Sequence, residues 1–593
     1  TGRGGWPLSV FLTPEGEPFY GGMYFPPEGR HGMPGFRQVL ESVSEAYSTR
    51  RDDIAQSVEM ITTAIKSGDQ FATTIEPLTE DVLSEAYKSM KDSFDSYHGG
   101  FGNAPKFPQP MALEFLLRYY YRTGALEALS MVETALKSMA RGGIYDHLGG
   151  GFHRYSTDQL WLVPHFEKML YDNALLSRLY LHAYQVTGDS FYANVAEEIL
   201  DYVLMDMTDS NGGFYSSQDA DSEGEEGKYF VWTLSEFTNT VGTQDATVLK
   251  RYFGVTSEGN FDGRNILHTP QGISEFVSGT GLNTAKLTTI IKDGKAALLQ
   301  TRSRRIPPAK DTKVLTSWNG LMLHSMAIGA SILHKDEYLQ AAIKNASFIL
   351  QNMREDRRLL RTYRDGKAKL KAYLEDYACL ADGLLVLYEA TFEAYWLEEA
   401  LGLAQQIMEL FWSEEDGVFY DTGLDHESLI IRPRDLSDGA MPCGGSMAVD
   451  VLLRLSTITG DSIYSRVALL ALRSVKGLMV RIPHGTGHWL AALDFHLSSP
   501  PEIAIIGSLR ETSTRALLNC IHEMYLPNKV MAGYDPLGTG SRPYIPLLED
   551  KEMLGGIPTV FVCENYTCQL PVNEPDLLSK QLLDRGYFRT GAF

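Results

Sequence analysis

Three histidines, His147, His153 and His165, fall within nineteen residues in the segment GGIYDHLGGGFHRYSTDQLWLVPHFEKMLYDN, from Gly142 to Asn173. The whole chain has only 14. Imidazole titrates near neutrality and can take or give a proton, which suits general acid and base work. The same segment carries Tyr155, Trp161, Glu167, Asp172 and Asn173, aromatic faces and polar groups of the kind a ring-shaped polar ligand needs. His165 leads as a catalytic candidate because it immediately precedes a predicted helix. A plainer role stands beside this one, in which the histidines bond backbone groups of a Gly-rich loop.

Three further clusters have the same character. In SSQDADSEGEEGKYFVW, from Ser216, the alternate carboxylates Asp219 and Asp221 could contact sugar hydroxyls or hold a divalent cation. The twelve-residue EF-hand pattern is absent, so a solvated loop is the expectation and no metal is assigned. LTSWNG places Trp318 and Asn319, and AYLEDYACLADG places Glu375 and Asp376, at the starts of predicted helices. Acidic groups there also interact favourably with the helix dipole, so a structural role competes with a binding one. Cys443, in MPCGGS, is expected to be a buried spectator thiol. The chain has no GxGxxG after a strand, GxxxxGK[ST], HExxH, GxSxG or CxxC, and no cofactor is expected.

The elements that would position these residues are helical hairpins. The repeat is clearest in YDNALLSRLYLHAYQVTGDSFYANVAEEIL and GGSMAVDVLLRLSTITGDSIYSRVALLAL, both punctuated by TGDSxY. Inner helices are expected near 110–124, 167–186, 317–334, 374–392 and 445–459, with a sixth hidden in the irregular 231–283. Outer helices are expected near 81–96, 127–141, 191–207, 284–303, 338–353, 397–411 and 464–480. Gly-aromatic turns (GGFG, GGGFHRY, GGFY, GVFY) follow several outer helices. The expected fold is mainly α: an (α/α)6 toroid over 80–497, after a short α/β segment at 1–70 and before a small α/β unit at 498–593. The 1–70 segment reads as a strand hairpin and one helix from 36 to 65. Partial sheets at the two ends of the chain could pair if those ends meet.

Composition narrows the function. A formal charge of −22 over 593 residues excludes the basic surface that nucleic acid requires. RSRR, at 302–305, reads as a solvated helix end. No apolar run approaches the roughly 18 residues that span a bilayer. Five cysteines in so long a chain make no disulfide framework, which favours a reducing compartment and a cytoplasmic location. Cys563 and Cys568, spaced CxxxxC, lack redox spacing.

GRGGWPLSVFLTPEGEPFYGGMYFPP, HFEKMLYDNALL, QDADSEGEEGKYFVWT and TSWNGLM together closely resemble the thioredoxin-domain-containing family of spermatogenesis-associated protein 20 and its bacterial relatives. The resemblance covers essentially the whole chain. It implies a thioredoxin-like domain joined to a six-hairpin glycosidase-type barrel, related in shape to sugar 2-epimerases. Pro7 matches the position of the thioredoxin cis-proline, and the family's cysteine-containing segment is expected upstream of Thr1. By analogy with epimerases, His165 and one of His147 or His153 would pass a proton across a sugar. The leading expectation is thus a sugar isomerase or 2-epimerase with a small-molecule sugar as partner. The alternatives are a glycoside hydrolase using carboxylates such as Asp219 with Glu375 or Asp376, and a non-catalytic glycan or partner binder. Oligomeric state is left open.

Overall fold

The computed structural model describes residues 7–30, 32–68, 76–428, 430–538 and 542–583. The first segment is an antiparallel strand pair, Leu8–Leu12 with Pro18–Met23, followed by α1 (Phe36–Thr49) and α2 (Arg51–Gly68). The single helix expected here is broken at Arg50, whose φ of −128° and ψ of 56° leave the helical region. The Trp6–Pro7 bond involves a residue outside the described ones.

The hairpins follow: α3 (Glu80–Ser93), α4 (Pro110–Thr123), α5 (Leu126–Arg141), α6 (Leu170–Thr187) and α7 (Ser190–Asp206). An insertion carries α8 (Leu234–Val241), α9 (Thr243–Tyr252), α10 (Ile273–Thr280) and α11 (Thr284–Arg302). The hairpins resume with α12 (Thr316–Leu333), α13 (Asp336–Asn352), α14 (Leu374–Thr391), α15 (Ala394–Leu410), α16 (Gly444–Thr459), α17 (Ser462–Arg481) and α18 (Gly487–His496). Helices α4, α6, α12, α14, α16 and α18 form the inner ring, each packed on the next, and α18 closes it against α4. Their side chains are buried on nearly every face, whereas outer helices such as α13 bury one.

The repeated TGDS turn has a local cause. Gly188 and Gly460 end α6 and α16 in the left-handed region, at φ 68° and 71°, which glycine adopts without a Cβ penalty. The next residue caps the outer helix: Asp189 accepts from Phe191 N at 3.0 Å and Asp461 from Ile463 N at 2.9 Å. Such caps contribute about 1 kcal/mol each. The Gly-aromatic turns form small β-bridged reversals, Phe94 with Phe101, Tyr145 with Phe152, Thr208 with Phe214 and Trp412–Ser413 with Val418–Phe419. A fifth, Arg354–Glu355 with Arg358 and Leu359, does the same without glycine.

Several expectations change. The sixth inner helix is α18, not a segment of 231–283. At ten residues, buried along almost its whole length, it offers no periodicity to read. Helix α11 leaves the outer ring, because Leu287, Ile291 and Leu298 cover Phe237 and Phe253 within the insertion. RSRR is no solvated end: Arg302 is buried and grips Asp146 with two bonds of 2.7 and 3.0 Å, while Arg305 donates to the carbonyls of Tyr229 and Val231.

The chain finishes in a four-stranded sheet ordered Val530–Tyr534, Glu502–Ile506, Thr559–Glu564, Thr567–Cys568, with the first pair parallel and the others antiparallel. Helices α19 (Thr512–His522) and α20 (Pro575–Leu583) share a core with Ile503 and Ile505, while Ala504 and Ile506 on the opposite face join the core of the ring. Strand pairing between this sheet and the N-terminal hairpin does not occur among the described residues. Cys563 and Cys568 face each other across the last hairpin as a disulfide, so cysteine usage ceases to argue for a reducing compartment. No described helix is long and apolar enough to cross a membrane.

Helices α12 and α14 meet backbone to backbone. A Cβ on Gly320 would lie 2.5 Å from the backbone of Cys379, which cannot step aside. Gly320→Ala is therefore expected to cost about 1–3 kcal/mol in urea unfolding. Gly402→Ala, on the outer helix α15 with nothing within 4 Å, should instead stabilise by up to about 1 kcal/mol.

Candidate functional site

The inner helices begin at one end of the ring, and the connections from the outer helices converge there. A cavity of about 410 Å³ opens at this mouth, with Tyr171, Tyr373, Glu375, Asp421, Asp435 and Cys443 in its wall.

Glu375 and Asp376 occupy the first turn of α14 and do different work. Asp376 is wholly buried, accepting from Tyr373 N at 2.9 Å, Ser317 N at 3.0 Å and Arg361 Nη1 at 2.9 Å. It joins the starts of α12 and α14. Glu375 looks into the cavity and accepts from Arg361 Nη1 at 2.7 Å. Burial pushes its carboxyl above the usual range, and the negative charges of Asp376 and Asp435 push the same way, against Arg361. Arg361 lies over the Tyr373 ring at 4.8 Å, so one guanidinium fixes an acid, its neighbour and an aromatic wall. Asp435 is exposed at the rim, with its backbone N–H held by Asp421 at 2.7 Å.

Across the mouth, Tyr171 meets Trp318 edge to face at 4.7 Å. Behind Tyr171, Asp172 is buried, and its Oδ2 has no hydrogen-bond partner among the described residues. Burial raises its carboxyl far above the ordinary value. Arg154 bonds Tyr171 and Glu167, the latter at 3.3 Å, and Glu167 lies 3.4 Å from His165 Nε2. His165 Nδ1 reaches Glu226 at 2.7 Å. His165 thus ends a polar chain leading to the cavity wall without lining the cavity, and its bonds to Glu167 and Glu226 raise its pKa. Tyr155 pairs with His165 across a two-residue strand and packs against Phe107.

Other expected site residues belong to the scaffold. His147 is buried with Nε2 on the Gly142 carbonyl at 2.9 Å, and His153 is buried with Nδ1 on the Phe166 carbonyl at 2.8 Å. Burial lowers them to about 4 and about 3, so both rings are neutral donors to backbone. Trp161 is fully enclosed, donating to the His98 carbonyl at 2.9 Å. Asn173 and Asn319 hold equivalent places in α6 and α12. Asn173 accepts from Phe152 N and donates to the carbonyls of Phe152 and Met169, while Asn319 does the same with Phe214 and Leu315. Each pins a Gly-aromatic reversal to an inner helix, leaving its amide little capacity for a ligand. Asp219 and Asp221 are exposed on the insertion side, where Asp219 accepts from Asp221 N at 3.1 Å. Among the described residues no group of three or more His, Cys, Asp or Glu could hold a metal.

Tyr171, Arg361, Tyr373 and Asp435 were not singled out by the sequence reading. Tyr171 and Tyr373 adjoin residues that were, and each begins or precedes an inner helix. Arg361 comes from a strand, Arg358–Arg364, whose place at the mouth no local pattern betrays.

A closed ring of six helical hairpins with a polar mouth defines an (α/α)6-toroid protein. At its start, residues 1–66 match the family model Thioredox_DsbH, described as "Protein of unknown function, DUF255". Human spermatogenesis-associated protein 20 is 35% identical over 624 residues, covering 98% of this chain and 79% of that protein, and the rat protein is 34% identical with the same coverage. The chain belongs to the spermatogenesis-associated protein 20 family. Solved structures similar to it include a GH76 alpha-mannanase from Bacteroides thetaiotaomicron, at 12% identity and TM-score 0.44 over 70% of this chain and 95% of that one. A sugar epimerase from a ruminal bacterium matches at 15% identity and TM-score 0.31, over 62% and 97%.

The three histidines should separate in a long-range ¹H–¹⁵N NMR titration. His165 is expected to protonate above the ordinary histidine range, while His147 and His153 stay neutral at pH 5. The stability from the His165 pairing is complete below the unfolded-state pKa of about 6.5 and is lost as pH rises through the raised folded value. His147 and His153 act oppositely, costing stability as pH falls from about 6.5.

Proposed function

We propose that the mouth takes a carbohydrate and that the barrel acts on it with carboxylates, Glu375 as proton donor and Asp435 as the facing carboxylate. The observation that carries this reading is the Glu375 carboxyl, set in the wall of a 410 Å³ cavity with its affinity for a proton raised by burial and by two neighbouring acids. A cavity of that volume suits a sugar unit. Tyr171 supplies aromatic surface for its C–H groups, and Asp421 and Asp435 offer acceptors to its hydroxyls.

The chemistry is glycosidic cleavage. Glu375 gives its proton to the leaving oxygen as the bond to the anomeric carbon breaks, and Asp435 either attacks that carbon or activates the water that does. Arg361 keeps Glu375 aimed and takes up the negative charge it acquires. Sugar isomerisation or 2-epimerisation by histidine proton transfer needs two histidines facing one pocket. Among the described residues no histidine lines this cavity, and His147 and His153 are occupied with backbone, so carboxylate chemistry is the better-supported reading.

A panel of nitrophenyl glycosides of both anomeric configurations tests it. Hydrolysis of at least one is expected, and Glu375→Gln should lower kcat roughly 100-fold or more for poor leaving groups, with less loss for dinitrophenyl glycosides that need no proton. Binding without turnover across the panel would leave a glycan binder, and deuterium uptake at C2 of a free sugar without hydrolysis would return the epimerase reading.

A further inference from the structure

The opposite end of the ring holds a second polar chamber, separate from the mouth. Its walls are side chains of the inner helices, from Glu114 on α4 to His488 on α18, and the C-terminal α/β unit closes it with His522, Tyr525 and Lys529. The seal is specific. Gln185 on α6 donates to the carbonyls of His522 and Met524 at 2.5 and 3.2 Å, and Arg118 on α4 donates to Asn528 at 2.8 Å. The cavity is about 100 Å³, a quarter of the mouth's 410 Å³.

Four carboxylates and four cations line the chamber, but not all of them are in contact. Each of its four carboxylates has a partner. Glu114 holds His182 at 2.8 Å, Tyr525 at 3.2 Å and Arg118 at 3.4 Å, and Asp382 holds His324 and Arg454, both at 2.7 Å. Arg454 also reaches Glu389 at 3.3 Å and Asp450 at 3.9 Å. On the positive side, Arg118 and Arg454 are used by these pairs. Arg178, on α6, and Lys529, on the cap, also line the cavity, and neither side chain has a hydrogen bond or ion pair among the described residues. His488 Nε2 is buried in the same wall and also lacks a partner there.

Arg178 acts on Glu114 and Asp382, and Lys529 on Glu389, only through space, so both cations keep their hydrogen-bond donors free beside the unpartnered His488 Nε2. We propose that the chamber is a binding site for a small free oxyanion of the phosphate or sulfate type, held between Arg178 of the ring and Lys529 of the cap with His488 alongside. The guanidinium presents a planar fork to two oxygens and the ammonium a point charge to a third. The cavity volume limits the ligand to a few heavy atoms, which excludes a sugar phosphate. Because one cation comes from each side of the seal, the anion would also fasten the C-terminal unit to the ring.

The test is calorimetry and thermal unfolding of the whole chain in a buffer free of oxyanions, titrated with inorganic phosphate, sodium sulfate, glucose 6-phosphate or sodium chloride. Saturable heat and a rising unfolding midpoint with phosphate or sulfate are expected, without either response to glucose 6-phosphate or chloride. Whichever of phosphate and sulfate binds more tightly names the natural ligand class. Arg178→Gln and Lys529→Gln should each weaken binding at least tenfold. Glu375→Gln, at the mouth, should bind the anion as wild type does, so this site and the proposed sugar site stand or fall apart. No saturable response to phosphate or sulfate, an equal response to chloride or glucose 6-phosphate, or undiminished binding in a folded Lys529→Gln variant would overturn the proposal.

Discussion

Six helices buried on every side leave their polar side chains no water to turn to, so each such group must be paired inside the ring or at one of its ends. At the mouth the pairing is with backbone. Asn173, Asn319 and Asp376, all in the first turns of inner helices, bond the reversals or helix starts beside them. Those bonds fix where each inner helix begins and hold the entering loops in place. Glu375, next to one of these anchors, inherits its position from them and keeps a face toward open space.

At the other end the pairing is with charge. Glu114 on α4 pairs with His182 on α6, and Asp382 on α14 pairs with His324 on α12 and Arg454 on α16. Between the two ends the same helices are apolar. On α14, Glu375, Cys379 and Asp382 share one face at helical spacing, and the buried thiol separates the mouth acid from the chamber acid. The ring is therefore polar at both ends and closed between them along this face, which lets two sets of ionisable groups keep independent environments.

The helical hairpins were legible because their signals are local. TGDS holds a C-terminal glycine and an N-terminal aspartate cap in consecutive residues, and five of the six inner helices announce themselves by length. Helix α18 was hidden because burial on all faces erases periodicity, and α11 misled because an amphipathic helix shows that it covers something without showing what. The mouth was half legible. Glu375 and Trp318 could be placed from their positions at helix starts, but the histidine cluster pointed to a Gly-rich scaffold, since nothing local tells a ring bonded to a carbonyl from one facing a ligand. The chamber has a sign in the sequence. Glu114 with Arg118, Arg178 with His182, and Asp450 with Arg454 are polar pairs four residues apart inside helices otherwise apolar all round. A soluble helix has little reason to carry such pairs on a buried face unless other helices answer them.

The closure of the ring by α18 against α4 joins the first inner helix to the last. During synthesis α4 leaves the ribosome with one flank bare, and that flank has to wait for nearly the whole barrel to be made, tens of seconds at roughly 5–20 residues per second. Until then Met111, Leu113 and Phe115, all buried in the finished protein, have no complete set of neighbours. An unfinished barrel is thus an open arc with two sticky ends rather than a smaller barrel, and the cell must keep those ends apart until the chain has turned its last corner.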